Sequence, residues 1–440
     1  MTLRTVATLV ALWHAVAGAQ TGAAVALVGG RVYVSASQPP VENGVIILAN
    51  GVIVAAGDRT RISVPADATI IDCTGQTVMP AFWNSHVHFT ESRWAEVTGA
   101  TAGAVQASLD AMLLRYGFAH VMDTGAPSPT TAALKRLIAA GQLRGPTILA
   151  SGLPFVPPSG TPVYVEPLKL PELASAAQAR LAVRARIQDE GSDAIKLMTT
   201  SITRQQPFPS MSDEVVAAAV DEAHRLGHPV LAHPTNLIGL TRAVRNGVDV
   251  LLHTTPDSGD WSAEIVAEMK RRNVALVPTL KLWDEVLRLE GRPLEERRRF
   301  QASGIRQLRA FAKAGGTILF GTDVGFVTDY DPSAEYVAMR EAGLSFAQIL
   351  ESLTAAPAKQ FRLDTVTGTL EPGKRADIVV VAGNPAADLA ALQRVVVLYR
   401  QGRVVWHQDG PRGRHVRIDL GGFARLGHGW TPVRHRLLGP

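Results

Sequence analysis

The stretch Met79-Pro80-Ala81-Phe82-Trp83-Asn84-Ser85-His86-Val87-His88 leads from apolar residues into two histidines one residue apart. In an extended strand, residues i and i+2 point to the same side, so both imidazoles can reach one metal ion. A pair of this kind also occurs among ordinary core or loop histidines. The pair is stronger evidence for a metal site because further potential ligands lie at the ends of other apolar segments of the chain.

The middle of the chain alternates short apolar segments with helix-like patterns, such as the amphipathic stretch 213–226. The eight strand candidates are the strand that carries His86 and His88 and the segments 119–122, 146–150, 194–198, 229–233, 248–253, 274–277 and 317–320. Repeated strand–helix units predict an α/β fold, a (β/α)8 TIM barrel that we place at residues 81–365. The longest insertions, 152–173 and 281–299, are candidate active-site loops or lids, although the second could equally be a solvated helix.

The segments on either side of this central block have the sequence pattern of short β-strands. In residues 25–80, Asn50-Gly51 separates two apolar runs and is a dipeptide preferred in tight hairpin turns. The same pattern returns in residues 366–410, where Gln401-Gly402 lies between apolar runs. We therefore predict one small β-sandwich domain that is built from both chain ends.

The outermost segments differ in composition from the rest of the chain. Residues 1–19 carry an apolar run, one charge at Arg4 and the small-residue motif Ala17-Gly18-Ala19, which predicts a cleaved secretory signal peptide and a periplasmic or secreted location. A membrane anchor or a first core helix is the alternative, but the run is short for a bilayer span. Residues 411–440 form a basic extension that could meet an anionic surface or nucleic acid, or simply be solvated.

The overall composition is that of an ordinary globular protein, with 46% hydrophobic and 19% charged residues. The formal net charge of +5 is a mild excess, and no pattern of interleaved aromatic and basic residues points to nucleic acid. Cys73 is the only cysteine, so no intrachain disulfide can form. The sequence leaves the oligomeric state open, a homo-oligomer included.

In a barrel of this type, catalytic groups lie at the carboxyl ends of the strands. Six polar residues fall at such positions on five predicted strands: His86, His88, Lys196, His233, His253 and Asp323. Each has an ordinary alternative as a core histidine, a strand-end lysine or a turn aspartate. Their convergence on a single rim favours a metal centre.

Four other polar residues fit this rim less well. His224 and His228 precede the fifth predicted strand and are expected to be surface or capping groups. His120 and Asp123 belong to the second strand, where we expect a structural role more than support of metal ligands.

Taken together, these motifs resemble the amidohydrolase superfamily of metal-dependent hydrolases, in its imidazolonepropionase-like and Xaa-Pro dipeptidase-like branch. The resemblance covers about residues 25–408. Its markers are Met79-Pro80 with His86-Val87-His88, Ala194-Ile195-Lys196-Leu197-Met198, Ala232-His233, Leu252-His253, Val277-Pro278-Thr279-Leu280, Gly321-Thr322-Asp323, and the segments 353–358 and 368–377.

The resemblance implies a set of roles for these residues. Two divalent metal ions, expected to be zinc, would be held by His86, His88 and Asp323 and by His233 and His253. Lys196, carboxylated by CO2, would bridge the ions together with a hydroxide. Asp323 would take the proton of the attacking hydroxide and pass it to the departing amine. The implied reaction is hydrolysis of a C–N bond in an amide, peptide or cyclic amide, with a small-molecule or short-peptide substrate.

The chain departs from this branch in the loop after the third strand. Related dipeptidases often carry a substrate-contacting histidine there, and the segment 157–162 has none. We therefore do not carry over dipeptide specificity. Thr161, Tyr164 and the arginines of the 281–306 region are instead the candidates for substrate contact.

Three alternatives to a binuclear amidohydrolase remain at this point. A mononuclear deaminase or ring-opening hydrolase would keep the scaffold, but it has no need of a bridging carbamate on Lys196. The same hydroxide could attack a lactone or a phosphotriester. A catalytically silent binding scaffold is disfavoured because the ligand set is intact.

Overall fold

A computed structural model describes residues 24–409 except for residues 96 and 98. The predicted signal peptide 1–19 and the basic extension 411–440 lie outside the described residues. Within the described part of the chain, the model contains no helix that is long and apolar enough to cross a membrane.

The described residues alternate between strands and helices along most of their length. The strands are β1 (Val25–Val32), β2 (Val41–Ala49), β3 (Val52–Asp58), β4 (Thr69–Asp72), β5 (Gln76–Pro80), β6 (Phe82–Val87), β7 (Phe118–Asp123), β8 (Thr147–Ala150), β9 (Ile195–Met198), β10 (Val230–His233), β11 (Val250–Leu252), β12 (Ala275–Val277), β13 (Ile378–Ala382), β14 (Val395–Arg400) and β15 (Arg403–His407). The helices are α1 (Ser92–Ala95), α2 (Ala102–Met112), α3 (Ser128–Ala139), α4 (Ala176–Gln188), α5 (Asp213–Arg225), α6 (Leu237–Arg245), α7 (Ala263–Arg271), α8 (Leu280–Leu289), α9 (Leu294–Lys313), α10 (Ser333–Glu341), α11 (Phe346–Leu353) and α12 (Ala355–Gln360).

The strands from the two chain ends join in one sheet. Eight strands are hydrogen-bonded in the order β15-β14-β13-β5-β1-β2-β3, with β4 paired to β1. The junction is antiparallel, with Ile378 of β13 opposite Pro80 of β5. Assembly from both ends therefore matches the sequence prediction, but the hydrogen bonds define a single sheet where a sandwich of two was expected. Both faces of β1 are covered, because Leu27 and Val28 pack into different apolar clusters.

Parallel strands separated by helices make up the central block. One sheet has the order β6-β7-β8 and the other the order β12-β11-β10-β9. The segment 317–320 is not a regular strand, but Leu319 N donates to Leu276 O of β12 (2.9 Å) and Ser85 N of β6 donates to Phe320 O (2.7 Å). This segment thus connects the two parallel sheets, and its neighbours are those expected for the eighth strand of the predicted barrel.

The amphipathic pattern predicted for 213–226 corresponds to α5. Ser212 caps this helix by accepting a hydrogen bond from Val215 N, and Asp213 and Glu214 place negative charge in its first turn, where the helix dipole favours it. The apolar side of the helix, including Val216 and Ala219, is buried. Burial of such a face against the strands is the main source of helix stability in a protein of this type.

The two long insertions differ in structure. Residues 281–299 belong mainly to α8 and the start of α9, so this charged segment is helical. The insertion 152–173 is held against β9, because Phe155 N donates to Lys196 O (2.9 Å) and Met198 N donates to Phe155 O (2.8 Å). Its backbone is therefore tied to the strand that carries Lys196.

His120 connects the parallel strands to the eight-stranded sheet. It is fully buried on β7, and its ring stacks on Trp83 with the ring centroids 4.7 Å apart. Its Nε2 lies 3.3 Å from Asp377 Oδ2 and 3.2 Å from the hydroxyl of Thr367. The structural role predicted for His120 agrees with these contacts.

Candidate metal centre

Three potential ligands meet at the carboxyl end of β6 and after the segment 317–320. The Nε2 atoms of His86 and His88 are 3.2 Å apart. Asp323 Oδ1 lies 3.2 Å from the first of these atoms and 2.9 Å from the second. Backbone hydrogen bonds fix this approach, because Asp323 N donates to His86 O (2.9 Å) and His88 N donates to Val324 O (2.8 Å).

Two further histidines continue this group. The His253 ring centroid lies 4.6 Å from that of His86 and 4.5 Å from that of His233, and His253 Nε2 is 4.0 Å from Asp323 Oδ2. His253 Nδ1 contacts the hydroxyl of Thr279 at 2.6 Å. A contact of this kind fixes the ring orientation and leaves Nε2 available to the centre.

The backbone is locally strained where the ligands are placed. His253, Thr279 and Asp323 have φ values of 72°, 45° and 60°, in the left-handed region that residues with a Cβ rarely adopt. Such conformations cost on the order of 1 kcal/mol or more each and concentrate at functional sites. The strain arises because the backbone turns sharply at each of these strand ends, which directs the side chains toward the centre.

The electrostatics of the group keep the imidazoles of His86, His233 and His253 neutral. Burial lowers the pKa of His86 to about 4 and that of His233 to about 3, and it brings the pKa of His253 well below its usual value. Burial alone would raise the pKa of Asp323, but the neighbouring His86 and His88 hold it well below its ordinary value. Neutral imidazoles beside an ionised carboxylate are the form in which these side chains bind metals.

Lys196 is buried in the same region. Burial lowers the pKa of its amine to about 8, although the charges of Asp323 and Asp123 act in the opposite direction. Its own charge in turn lowers the pKa of His86, His233 and His253, which places the amine within electrostatic reach of all three rings. A larger fraction of this amine is neutral near pH 7 than in a free lysine, whose pKa is about 10.4.

The donor set fits a divalent metal ion such as Zn2+. His86, His253 and Asp323 are buried, and each offers one ligand atom within 4.8 Å of the others. Asp323 Oδ1 is buried, and although it lies within 3.2 Å of both imidazoles, its contacts among the described residues lack regular hydrogen-bond geometry. Imidazole nitrogens and carboxylate oxygens are the ligands that Zn2+ accepts, and an ion would satisfy this oxygen.

Asp123 and Asn84 brace the strand ends that carry the ligands. The carboxylate of Asp123 accepts hydrogen bonds from the backbone N–H groups of Phe89, Gly125 and Ala126. Asn84 donates to the hydroxyl of Thr322 at 2.7 Å and accepts from His86 N at 3.2 Å. Both residues therefore act through the backbone of the ligand-bearing segments, and for Asp123 this agrees with the predicted structural role.

The candidates for substrate contact divide into two groups. Tyr164 lies near the centre: its ring is 5.3 Å from that of Phe326, which in turn lies 6.5 Å from the His88 ring. The Thr161 hydroxyl accepts a hydrogen bond from Leu170 N and thereby braces its own loop. In the 281–306 region, Arg297 and Arg306 pair with aspartates at 2.8 and 2.7 Å.

Histidines predicted to lie away from the rim also make ordinary contacts. His224 Nε2 lies 2.8 Å from Asp249 Oδ2, and His228 Nδ1 lies 3.1 Å from Asp193 O. Trp283 and Phe326, which contact the rings of His253 and His88, were not predicted from the sequence. The available signal was an aromatic residue a few positions beyond a predicted strand end.

Imidazoles and a carboxylate at the carboxyl ends of parallel strands, with the buried Lys196 on β9, form a candidate metal-binding hydrolase centre on an α/β scaffold. The profile of the Amidohydrolase family matches residues 77–405. The chain therefore belongs to the amidohydrolase family and is a hydrolase that acts on C–N bonds. Membership implies a TIM-barrel fold and the use of divalent metals, and it confirms the resemblance inferred from the motifs.

Individual relatives share the fold over most of its length. Ochratoxinase from Aspergillus niger is 24% identical over 429 residues, which cover 86% of each chain. A putative prolidase from Bifidobacterium longum has a TM-score of 0.73 at 28% identity, over 88% of this chain and 95% of that one. A prolidase complexed with N-methylphosphonate-L-proline has a TM-score of 0.73 at 27% identity, over 88% of this chain and 100% of that one.

Proposed function

We propose that this protein is a binuclear metal-dependent amidohydrolase that cleaves the C–N bond of an amide, short peptide or cyclic amide. The observation that carries the proposal is the convergence of His86, His88 and Asp323, whose ligand atoms lie within 3.2 Å of one another. His253 extends this group on one side, and Lys196 is buried within electrostatic reach of it.

In this proposal, one ion is held by His86, His88 and Asp323, and the second by His233 and His253. Lys196 would contribute after its neutral amine adds to CO2 and releases a proton, which would give an anionic carbamate that can serve as an oxygen ligand. When bound, the ions would polarise the scissile carbonyl and acidify a water molecule. Zinc is the expected metal, because imidazole and carboxylate oxygen are its preferred ligands here.

Asp323 is the proposed proton carrier. Its carboxylate is ionised and buried, so it can accept the proton of the attacking water and deliver it to the departing amine. The net reaction adds one water molecule and yields a carboxylic acid and an amine. Transfer by one carboxylate serves both steps, since the group returns to its ionised form at the end.

The named relatives support amide and peptide substrates in general. Ochratoxinase and two prolidases are among the proteins that this chain resembles. The loop that carries Thr161 and Tyr164 lacks the histidine common in related dipeptidases, so the proposal stops at the bond type and does not specify a dipeptide.

We also propose that the protein is exported after removal of residues 1–19 and that 25–80 with 366–410 and 81–365 form separate folding units. The apolar run and the small-residue motif of the signal segment support export. The export proposal is tested by the mass of the N-terminal peptide of protein recovered outside the cytoplasm. Recovered protein that still begins with Met1 would contradict export.

The metal content of the chain is the first test of the proposed centre. Protein comprising residues 20–440, purified with zinc and bicarbonate, should contain about two metal ions per chain by elemental analysis. Removal by a chelator should abolish amide hydrolysis, and zinc should restore it. About one ion would favour a mononuclear deaminase or ring-opening hydrolase, and none would favour a silent scaffold.

Substitution Lys196→Ala tests the bridging carbamate. It removes the buried amine whose charge acts on the ligand rings, so we expect the affinity for one of the two ions to fall by about 100-fold. The measurement is metal per chain against free zinc concentration, with and without added acetate as a replacement carboxylate. The exposed Lys359→Ala is the matched control. Unchanged metal binding in Lys196→Ala would rule out the carbamate.

A further inference from the structure

Two of the candidate ligand rings, those of His88 and His253, each have an aromatic neighbour. Both of these imidazoles contact His86, at ring-centroid distances of 5.2 and 4.6 Å. Phe326 approaches His88 edge-on at 6.5 Å, and Trp283 approaches His253 edge-on at 5.9 Å. Trp283 beside His253 and Phe326 beside His88 therefore form two aromatic walls of the centre.

The wall beside His253 is held in place by its own contacts. Trp283 Nε1 donates to the hydroxyl of Thr254 at 2.9 Å, which satisfies the polar edge of the indole. Phe300 of α9 packs against the same ring with the centroids 5.6 Å apart. Because the ring is fixed before any ligand binds, it can contribute contact area at little entropic cost.

The wall beside His88 consists of Phe326 and Tyr164. The Tyr164 ring meets Phe326 edge-on at 5.3 Å, and burial together with the nearby charge of Asp323 raises the pKa of its phenol. This wall comes from two different loops, those after β8 and after the segment 317–320. Trp283, Phe326 and Tyr164 are all of intermediate exposure, so their rings are not fully enclosed in the core.

Two cations in the segments next to these walls, Arg204 and Lys281, already have partners. Arg204 makes two contacts of 2.7 Å with the carboxylate of Glu166, in the loop that follows Tyr164. The buried Lys281, two residues before Trp283, donates to Asp329 O at 2.7 Å and to Asp331 O at 2.6 Å. A substrate carboxylate would have to compete with these partners, whereas a neutral group would not.

We infer that the centre prefers neutral amides that carry an aromatic group on each side of the scissile bond, with one ring packed against Trp283 and the other against Phe326 and Tyr164. This inference rests on the proposed function and narrows its substrate class. The scissile carbonyl would then lie at His86, between the walls. Edge-to-face aromatic pairs and the burial of ring surface supply the selectivity.

Four amides that differ only in their rings test the inference with the zinc-loaded protein. They are N-benzyl-2-phenylacetamide, N-methyl-2-phenylacetamide, N-benzylacetamide and N-methylacetamide. Each ring should raise kcat/KM by about 10-fold or more, which is the scale of selectivity that an apolar pocket provides. N-Phenylacetylglycine, which replaces the N-methyl group with a carboxylate-bearing one, should be a poorer substrate than N-methyl-2-phenylacetamide.

Substitutions in the two walls show which substrate ring packs against which wall. Trp283→Leu should remove the advantage of one ring and Phe326→Leu that of the other, while Tyr116→Leu, which lies beyond the end of α2, should remove neither. Equal kcat/KM across the four amides, or equal losses for both rings in both variants, would overturn the inference. The ring-free activated amide N-methyltrifluoroacetamide distinguishes failure of this inference from failure of the proposed function. If the protein hydrolyses it but shows no ring selectivity, only the inference is wrong. If the protein hydrolyses no amide, both are wrong.

Discussion

Replacing Asp323 with asparagine should lower kcat by about 10³-fold, within the range found when a positioned general acid–base group is removed. The amide is nearly isosteric with the carboxylate but cannot accept a proton at neutral pH. Backbone hydrogen bonds hold the residue in place, since Asp323 N donates to His86 O and Val327 N donates to Asp323 O. The fold should therefore persist, and the loss should appear in kcat at constant thermal unfolding temperature.

Two measurements separate this role from a loss of metal. Asp323 is also a proposed ligand, so metal per chain must be determined on the same preparation and the rates compared at saturating zinc. Asp221→Asn is a suitable control, because its carboxylate is exposed and its contact with Arg180 is an ordinary surface ion pair. A rate within about 10-fold of the parent at full metal occupancy would reject proton transfer by Asp323.

The parallel strands were predictable because their sequences are continuously apolar. Strands β6 to β12 coincide with seven of the predicted segments, as expected when both faces of a strand are buried. The turns at Asn50-Gly51 and Gln401-Gly402 were also predictable. In both, the two residues have positive φ, which the favoured two-residue hairpin turns require.

The pairing of the terminal strands was not predictable to the same degree. Alternation of apolar residues shows which face of a strand is buried, but it does not specify the neighbouring strand. The junction of β5 with β13 brings together residues almost 300 positions apart, Pro80 and Ile378, and it makes one sheet of strands expected in two.

Within the centre, sequence reasoning found the ligand candidates but not the aromatic walls. His86, His253 and Asp323 follow from their position at strand ends. Trp283 reaches His253 only because α8 begins directly after Thr279, and Phe326 reaches His88 only through the turn at Gly325. Such contacts depend on how a segment returns over the strands, which no local pattern records.

Substitution of Gly325, in the turn beside His88, is also expected to have a large effect. Gly325 has a φ of 98°, and a Cβ added there would lie 1.8 Å from His88 O and 2.8 Å from the carbonyl carbon. The contact is with backbone, so no side chain can move aside. Gly325→Ala should displace His88 and Phe326, reduce the free energy of unfolding by more than about 4 kcal/mol and lower metal occupancy.

A matched glycine separates this collision from the cost of the backbone conformation alone. Gly343, which follows α10, has a φ of 95°, and an added Cβ would meet nothing within 4 Å. Gly343→Ala should therefore cost only about 1–2 kcal/mol, the strain of a left-handed alanine, and leave metal binding unchanged. Chemical denaturation of both variants, with metal per chain measured in parallel, provides the comparison. If the two alanines destabilise the protein equally and Gly325→Ala keeps its metal, then the close packing of the Gly325 turn against His88 is not what positions this ligand.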